Sequence, residues 1–232
     1  MVFSPHRWLT LTNYPFDGSV LWLADETQTY FVEVCDDAME KIREAIRRVS
    51  ARRVVLLGSS KGGYGAMMCG AILARTSDVI VRCLTFSPQT RVYPRNDNLS
   101  FPSYKRLLKR LTTDENLRRT MERLGNVRGI AFEGNIKTNL IYCAGNATDH
   151  VEAISLAGET VSLMEMPFSF HASIVPFTLD QGNAKETVRK IAKLYDHADE
   201  DGQFSLPPDA AELFRQITEN RFPSLRQIIY SL

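Results

Sequence analysis

Gly58-Ser59-Ser60-Lys61-Gly62 has the spacing in this chain from which covalent chemistry follows most directly. A serine hydroxyl can act as a nucleophile when it stands exposed on a sharp turn between a strand and a helix, with a base in reach. That turn leaves no room for side chains two residues before and two after the serine. Gly58 and Gly62 meet the demand around Ser60, not around Ser59. The flanks fit as well. Arg53 to Leu57 is the β-branched and Leu run of a strand buried on both faces, and the Ala, Met, Cys and Leu residues up to Ala74 suit a helix packed closely on a sheet. The competing reading is a strand-to-helix turn whose glycines only permit close packing. Phosphate loops are excluded: Lys61 precedes Gly62 instead of following it, and Gly63-Tyr64-Gly65 is followed three residues on by Met68.

A serine needs a base and an acid. His171 follows the strand expected over Glu159 to Glu165, and Asp149 follows the strand expected over Thr138 to Cys143. In a parallel sheet the C-terminal strand ends share one edge, so Ser60, Asp149 and His171 are expected to converge there. His171 would take the Ser60 proton, and Asp149 would hold the imidazole in the right tautomer. Each has a rival reading: Asp149 as a helix cap, His171 as a residue packed among aromatics. His150 precedes the last strand and Asp180 follows His171, so both rank lower. His6 and His197 receive no role. The oxyanion needs two N–H donors. The first expected is the Lys61 backbone N–H, the Lys61 side chain being a solvated neighbour. The second is expected from the loop Asn13 to Gly18, where Pro15 has no N–H, leaving Tyr14 or Phe16.

The elements that must position these residues read as follows. Trp8 to Thr12 alternates like a half-exposed strand, Val20 to Leu23 reads as a second strand, and Thr29 to Val34 as a short extended segment. A helix capped near Asp36-Asp37 places Met39, Ile42, Ile46 and Val49 on one stripe, so that the Val20 strand, this helix and the Arg53 strand form a βαβ unit. Val79 to Phe86 is a further buried strand, stopped at Ser87-Pro88-Gln89. Residues 91–134 form a helical excursion, with Leu107, Leu108 and Leu111 and then Leu117, Met121 and Leu124 at helical spacing. A short helix is expected over Val151 to Ala157, one after Asn183 (Val188, Ile191, Leu194), and one around Ala211, Phe214 and Ile217.

The chain as a whole reads as a single α/β domain, 1–232, with 91–134 as a cap or lid insertion and 200–232 as a C-terminal helical appendage. At 232 residues and 44% hydrophobic, it can build a large core. A net charge of +1 excludes the domain-wide basic field of a generic nucleic-acid binder. No apolar run approaches membrane-span length, and no secretory signal is visible. Cys35, Cys69, Cys83 and Cys143 are too scattered for a metal site, so neither metal nor cofactor is expected, and a reduced, cytoplasmic protein fits best.

With its GSSKGG turn and its Ser–Asp–His order, the chain resembles the serine α/β-hydrolases over about Trp8 to Leu194. The resemblance implies a three-layer, mostly parallel sheet. Six or seven strands are visible where the family usually has eight, so its first antiparallel pair is expected to be absent or reduced. The segments Leu21 to Asp25, Thr29-Tyr30, GSSKGGYGA and Phe86-Ser87-Pro88-Gln89 are similar to a bacterial branch associated with glycan or capsule assembly and accessory secretion. An esterase acting through acyl-Ser60 on a small-molecule or glycan ester is then expected. The alternatives are acyl transfer from the same intermediate, or a binding or assembly subunit with an idle triad. An aspartate-nucleophile hydrolase is disfavoured by serine at position 60. The resemblance also makes the excursion, with ten Lys and Arg residues from Arg91 to Arg128, a cap. Those cations read either as a lid over an anionic substrate or, preferred, as the solvated faces of two helices.

Overall fold

The computed structural model describes residues 1–7, 9–130, 132–178 and 222–232, together with Arg215, Ile217 and Glu219. The helix expected after Asn183 lies outside them, as do Asp180, His197, Ala211 and Phe214. Six strands form one sheet in the order β2-β1-β3-β4-β5-β6, every neighbouring pair parallel. They are β1 Val2–Ser4, β2 Trp22–Ala24, β3 Arg53–Ser59, β4 Ile80–Phe86, β5 Ile136–Cys143 and β6 Val161–Met166. Among the described residues the helices with continuous bounds are α1 Cys35–Val49, α2 Lys61–Thr76, α3 Pro102–Leu111, α4 Glu115–Leu124, α5 Ala147–Ile154, α6 Val175–Thr178 and α7 Leu225–Ser231.

Side chains alternate across a strand, so neighbouring residues feed two different cores. Leu56, Cys83 and Leu140 face one layer, with α1, α2, α3 and α4. Leu57, Leu84 and Ile141 face the other, with Phe177, Ile217, Leu225 and Ile228. The C-terminal residues therefore complete the second face of the sheet. α2 is buried almost all round, from Lys61 to Ala74, because the sheet packs on one side of it and α1 and the excursion on the other. Among the described residues no helix is long and apolar enough to cross a membrane.

Several elements differ from expectation. The first strand is Val2–Ser4, not Trp8 to Thr12: residues 9–12 are irregular, and Leu9 is exposed. β2 is an edge strand separated from β3 by β1, so the β2-α1-β3 unit does not join neighbours. Residues 25–34 turn instead of extending. Buried Asp25 accepts from Thr27 N and Oγ1 through Oδ1, and from Thr29 N at 2.7 Å and Phe31 N at 2.9 Å through Oδ2. This wraps the chain around one carboxylate, with Gln28, Tyr30 and Phe31 at φ 56°, 62° and 65°. In α1, Asp36 and Asp37 occupy the first turn, where they complement the helix dipole, but neither caps it by a side-chain bond.

The excursion is clamped to the sheet edge by Glu152 of α5, which is 1% exposed. Its Oε2 accepts from Thr90 N (2.7 Å) and Thr90 Oγ1 (2.6 Å), and its Oε1 from Asn96 Nδ2 (2.7 Å) and Asn98 Nδ2 (3.2 Å). Arg128 adds its guanidinium to Thr90 Oγ1. Burial alone would push the Glu152 carboxyl up, but the bonds from Thr90, Asn96 and Asn98 outweigh it and hold the pKa below the ordinary 4.5. Four of the excursion's other cations pair with acids: Arg95 with Asp97, Arg110 with Glu33, and Arg118 and Arg119 with Glu115. That favours solvated helix faces over a free cationic lid.

Two stability predictions follow from this framework. A Cβ on Gly62 would lie 2.1 Å from the Phe3 carbonyl oxygen, whereas one on Gly129 would meet nothing within 4 Å. Gly62→Ala is expected to lose about 3 kcal/mol in urea unfolding, and Gly129→Ala to stay within about 0.5 kcal/mol of wild type. Glu152→Gln is expected to cost about 1–3 kcal/mol at pH 7. Because the folded-state pKa of Glu152 is depressed, its stabilisation is complete above pH 4.5 and is lost as the pH falls through the folded value. The gap between wild type and Glu152→Gln should therefore narrow steadily in unfolding curves below pH 4.5.

Candidate active site

β3 ends at Ser59 and α2 begins at Lys61, leaving Ser60 alone to reverse the chain. It does so at φ 52° and ψ −122°, a backbone conformation that side-chain-bearing residues rarely adopt. The glycines make this possible. A Cβ on Gly58 would lie 2.2 Å from Gly62 O, and Gly62 itself touches the backbone of Phe3 in β1. Ser60 N donates to Phe86 O at 2.8 Å, tying the turn to the end of β4. Its hydroxyl is thereby held at the C-terminal edge of the sheet.

The loops that leave β4, β5 and β6 are joined along that same edge. Ser87 N donates to Ile141 O, Ala144 N to Met166 O and Gly145 N to Phe168 O, each at 2.8–3.0 Å. Ser87 Oγ bonds Ser173 Oγ at 2.9 Å. Asn146 caps α5 by accepting from Asp149 N, so Asp149 sits in the first turn of that helix without being its cap. His171 lies in the loop between β6 and α6, beneath the ring of Phe101 from the excursion, at 5.3 Å between centroids.

These loops bring three side chains into one line. His171 Nε2 is 2.9 Å from Ser60 Oγ, and His171 Nδ1 is 2.7 Å from Asp149 Oδ1. Ser60, Asp149 and His171 are 6%, 2% and 3% exposed, so water competes little for these bonds. Asp149 Oδ2 is buried with no hydrogen-bond partner among the described residues. The carboxylate is therefore directed almost wholly at His171, and a positive imidazolium would balance a charge that is otherwise poorly compensated. His150 stays apart from this line, its ring lying against Tyr142.

The oxyanion side departs from expectation. Lys61 is the first residue of α2, so its N–H is among those the helix does not use internally. The Lys61 side chain is buried, not a solvated neighbour, because α2 is enclosed on all sides. Tyr14 and Phe16 are not brought to Ser60. Their N–H groups donate to Leu11 O and Tyr14 O. They line a cavity of about 810 Å³ with Arg53, Val54 and Val55, at the start of β3 rather than its end. The cause is topological: β2 runs parallel to β1, so the chain after β1 must return along the sheet before β2 begins, and residues 14–18 belong to the return. Sequence reasoning also passed over Gln89. It is 1% exposed, with Nε2 at 3.2 Å and Oε1 at 3.4 Å from Ser60 Oγ. As the residue after a strand-ending proline, it carried no signal beyond a turn.

Among the described residues no cluster of three or more His, Cys, Asp or Glu could hold a metal ion, and the four cysteines are buried and unpaired.

No protein-family profile matches the chain, and no curated protein does. Among solved structures it is similar to a monoacylglycerol lipase of Paleococcus ferrophilus at 15% identity and a TM-score of 0.34, over 57% of this chain and 65% of the lipase. It is also similar to MGS-MChE2, an α/β hydrolase from a lagoon-sediment metagenome, at 13% identity and 0.36, over 71% of each chain. A hydrolase from Pseudomonas aeruginosa matches at 20% identity and 0.31, over 62% of this chain and 67% of its own. The chain thus spans just under two thirds of the lipase's length. Its own topology, an all-parallel sheet between two helical layers with the glycine-flanked Ser60 turn after a central strand, is α/β-hydrolase-like.

Proposed function

We propose that this protein is a serine hydrolase that cleaves a carboxylic ester through a covalent acyl-Ser60 intermediate. The observation that supports this best is the unbroken line from Asp149 Oδ1 through His171 to Ser60 Oγ, at 2.7 and 2.9 Å, on a serine held at φ 52°. Ser60 Oγ attacks the ester carbonyl carbon while its proton passes to His171 Nε2. The tetrahedral intermediate collapses, breaking the bond to the alcohol oxygen, which leaves with that proton. Water then attacks the acyl carbon and gives a proton to His171 Nε2, which passes it to Ser60 Oγ as the acyl–oxygen bond breaks, releasing the carboxylic acid and restoring Ser60. Asp149 keeps Nδ1 protonated, so that Nε2 is the basic nitrogen, and stabilises the imidazolium. The Lys61 N–H, at the positive end of α2, is one donor to the oxyanion.

The substrate class is a small-molecule ester, with an acylated glycan suggested by the resemblance of the GSSKGGYGA and Phe86 to Gln89 segments. A sugar hydroxyl in place of water would turn the same intermediate into an acyl transfer. Buried, unpaired cysteines suit a reducing compartment such as the cytoplasm.

Hydrolysis of short-chain p-nitrophenyl esters tests the assignment. Ser60→Ala and His171→Ala are each expected to lose at least about 10⁴-fold in kcat, and Asp149→Asn about 10³–10⁴-fold. Melting temperatures should stay close to wild type. Wild-type turnover in folded Ser60→Ala would remove the mechanism.

A further inference from the structure

We propose that the side-chain amide of Gln89 is the second oxyanion donor, a catalytic role supplied by a side chain from the loop after β4. The proposal rests on the acyl-Ser60 reading. The loop after β1, one of the two strands flanking β3, begins with Pro5, which has no N–H, and the N–H groups of Tyr14 and Phe16 are used within their own turn. Gln89 is a polar side chain, besides His171, that the fold brings onto Ser60. It is 1% exposed, with its Nε2 3.2 Å from Ser60 Oγ.

The chemistry of the bond selects the nitrogen. His171 Nε2 accepts the Ser60 proton, so the lone pairs left on Oγ need a donor, and in the amide only Nε2 carries hydrogen. Before attack that N–H bonds the serine oxygen. When Oγ joins the carbonyl carbon, negative charge develops on the substrate oxygen attached to the same carbon. The hydrogen bond from that N–H then shifts to the substrate oxygen, as the Oγ lone pair becomes an ester bond. Charge appears only in the transition state, so the donor favours the transition state over the bound ester.

A donor is useful in this way only if it is already in place, and Gln89 is anchored on both sides. Behind it, Ser87 donates from N to Ile141 O and from Oγ to Ser173 Oγ. Pro88 packs so tightly on Gly63 that a Cβ there would approach it to 2.8 Å. Ahead of it, Thr90 N and Oγ1 are held by the Glu152 carboxylate. Glu152 stands one helical turn beyond Asp149 in α5, so a single short helix positions both the triad acid and the loop bearing Gln89.

Steady-state kinetics on p-nitrophenyl butyrate, with binding of an aryl trifluoromethyl ketone that forms an anionic hemiketal on serine, test the proposal. Gln89→Leu removes the donor, and Gln89→Glu keeps the shape while replacing the N–H donor by an acceptor. Both are expected to lower kcat by about 10²–10³-fold with KM little changed. Ketone affinity should fall by the same factor as kcat/KM. Gln89→Asn, which retains the amide on a shorter arm, should recover part of the loss. If Gln89→Leu does not fold, Gln89→Glu decides alone. Wild-type kcat and ketone affinity in either folded variant, with Ser60→Ala inactive, would overturn the Gln89 role while leaving acyl-Ser60 intact. A fully active Ser60→Ala would overturn both.

Discussion

The site depends on one close approach of backbone to backbone. At the end of β3 the chain reverses within a single residue, and the start of α2 lies directly against β1 and against Gly58. There is no room for a Cβ at either glycine: 2.2 Å to Gly62 O in one case and 2.1 Å to Phe3 O in the other. That contact forces Ser60 to φ 52° and turns its hydroxyl out of the sheet. It also puts the first N–H groups of α2 beside the hydroxyl. The Ser60 hydroxyl and the Lys61 N–H thus take their places from the same steric constraint.

Everything around the turn holds the opposing loops to it. Bonds along the sheet edge join the ends of β4, β5 and β6, and the line from Asp149 through His171 to Ser60 crosses this framework. Glu152 extends the framework outward. Its buried carboxylate gathers Thr90, Asn96, Asn98 and Arg128, so the helical excursion and the loop that follows β4 are tied to the helix carrying Asp149. A buried, well-satisfied carboxylate contributes modestly to stability but strongly disfavours partial opening, since any separation strands a charge.

How much of this could be read in the sequence follows from the signals involved. β3, β4 and β5 were legible because strands buried on both faces read as apolar runs, and β6, a half-exposed edge strand, because it alternates; the residues just past them lie along one edge. β1 was not, since three residues carry no period, while the alternation at Trp8 to Thr12 imitated one. That displaced the first strand and, with it, the expected second oxyanion donor. The turn at Gln28, Tyr30 and Phe31 adopts positive φ without a glycine to announce it; the organising residue is Asp25, whose bonds are made by folding. Lys61 and Gln89 are polar residues next to turns, a pattern that reads as surface. Their burial depends on long-range packing of α2 and the excursion, which local composition does not encode.

The central claim is that Ser60 is a nucleophile activated by its neighbours. Intact-mass spectrometry after exposure to a fluorophosphonate, followed by peptide mapping, addresses it without knowledge of the natural ester. The account predicts a single phosphonyl adduct on the peptide containing Ser60, absent from Ser60→Ala and formed far more slowly by His171→Ala. An unmodified wild-type protein, or an adduct that persists in Ser60→Ala, would contradict it.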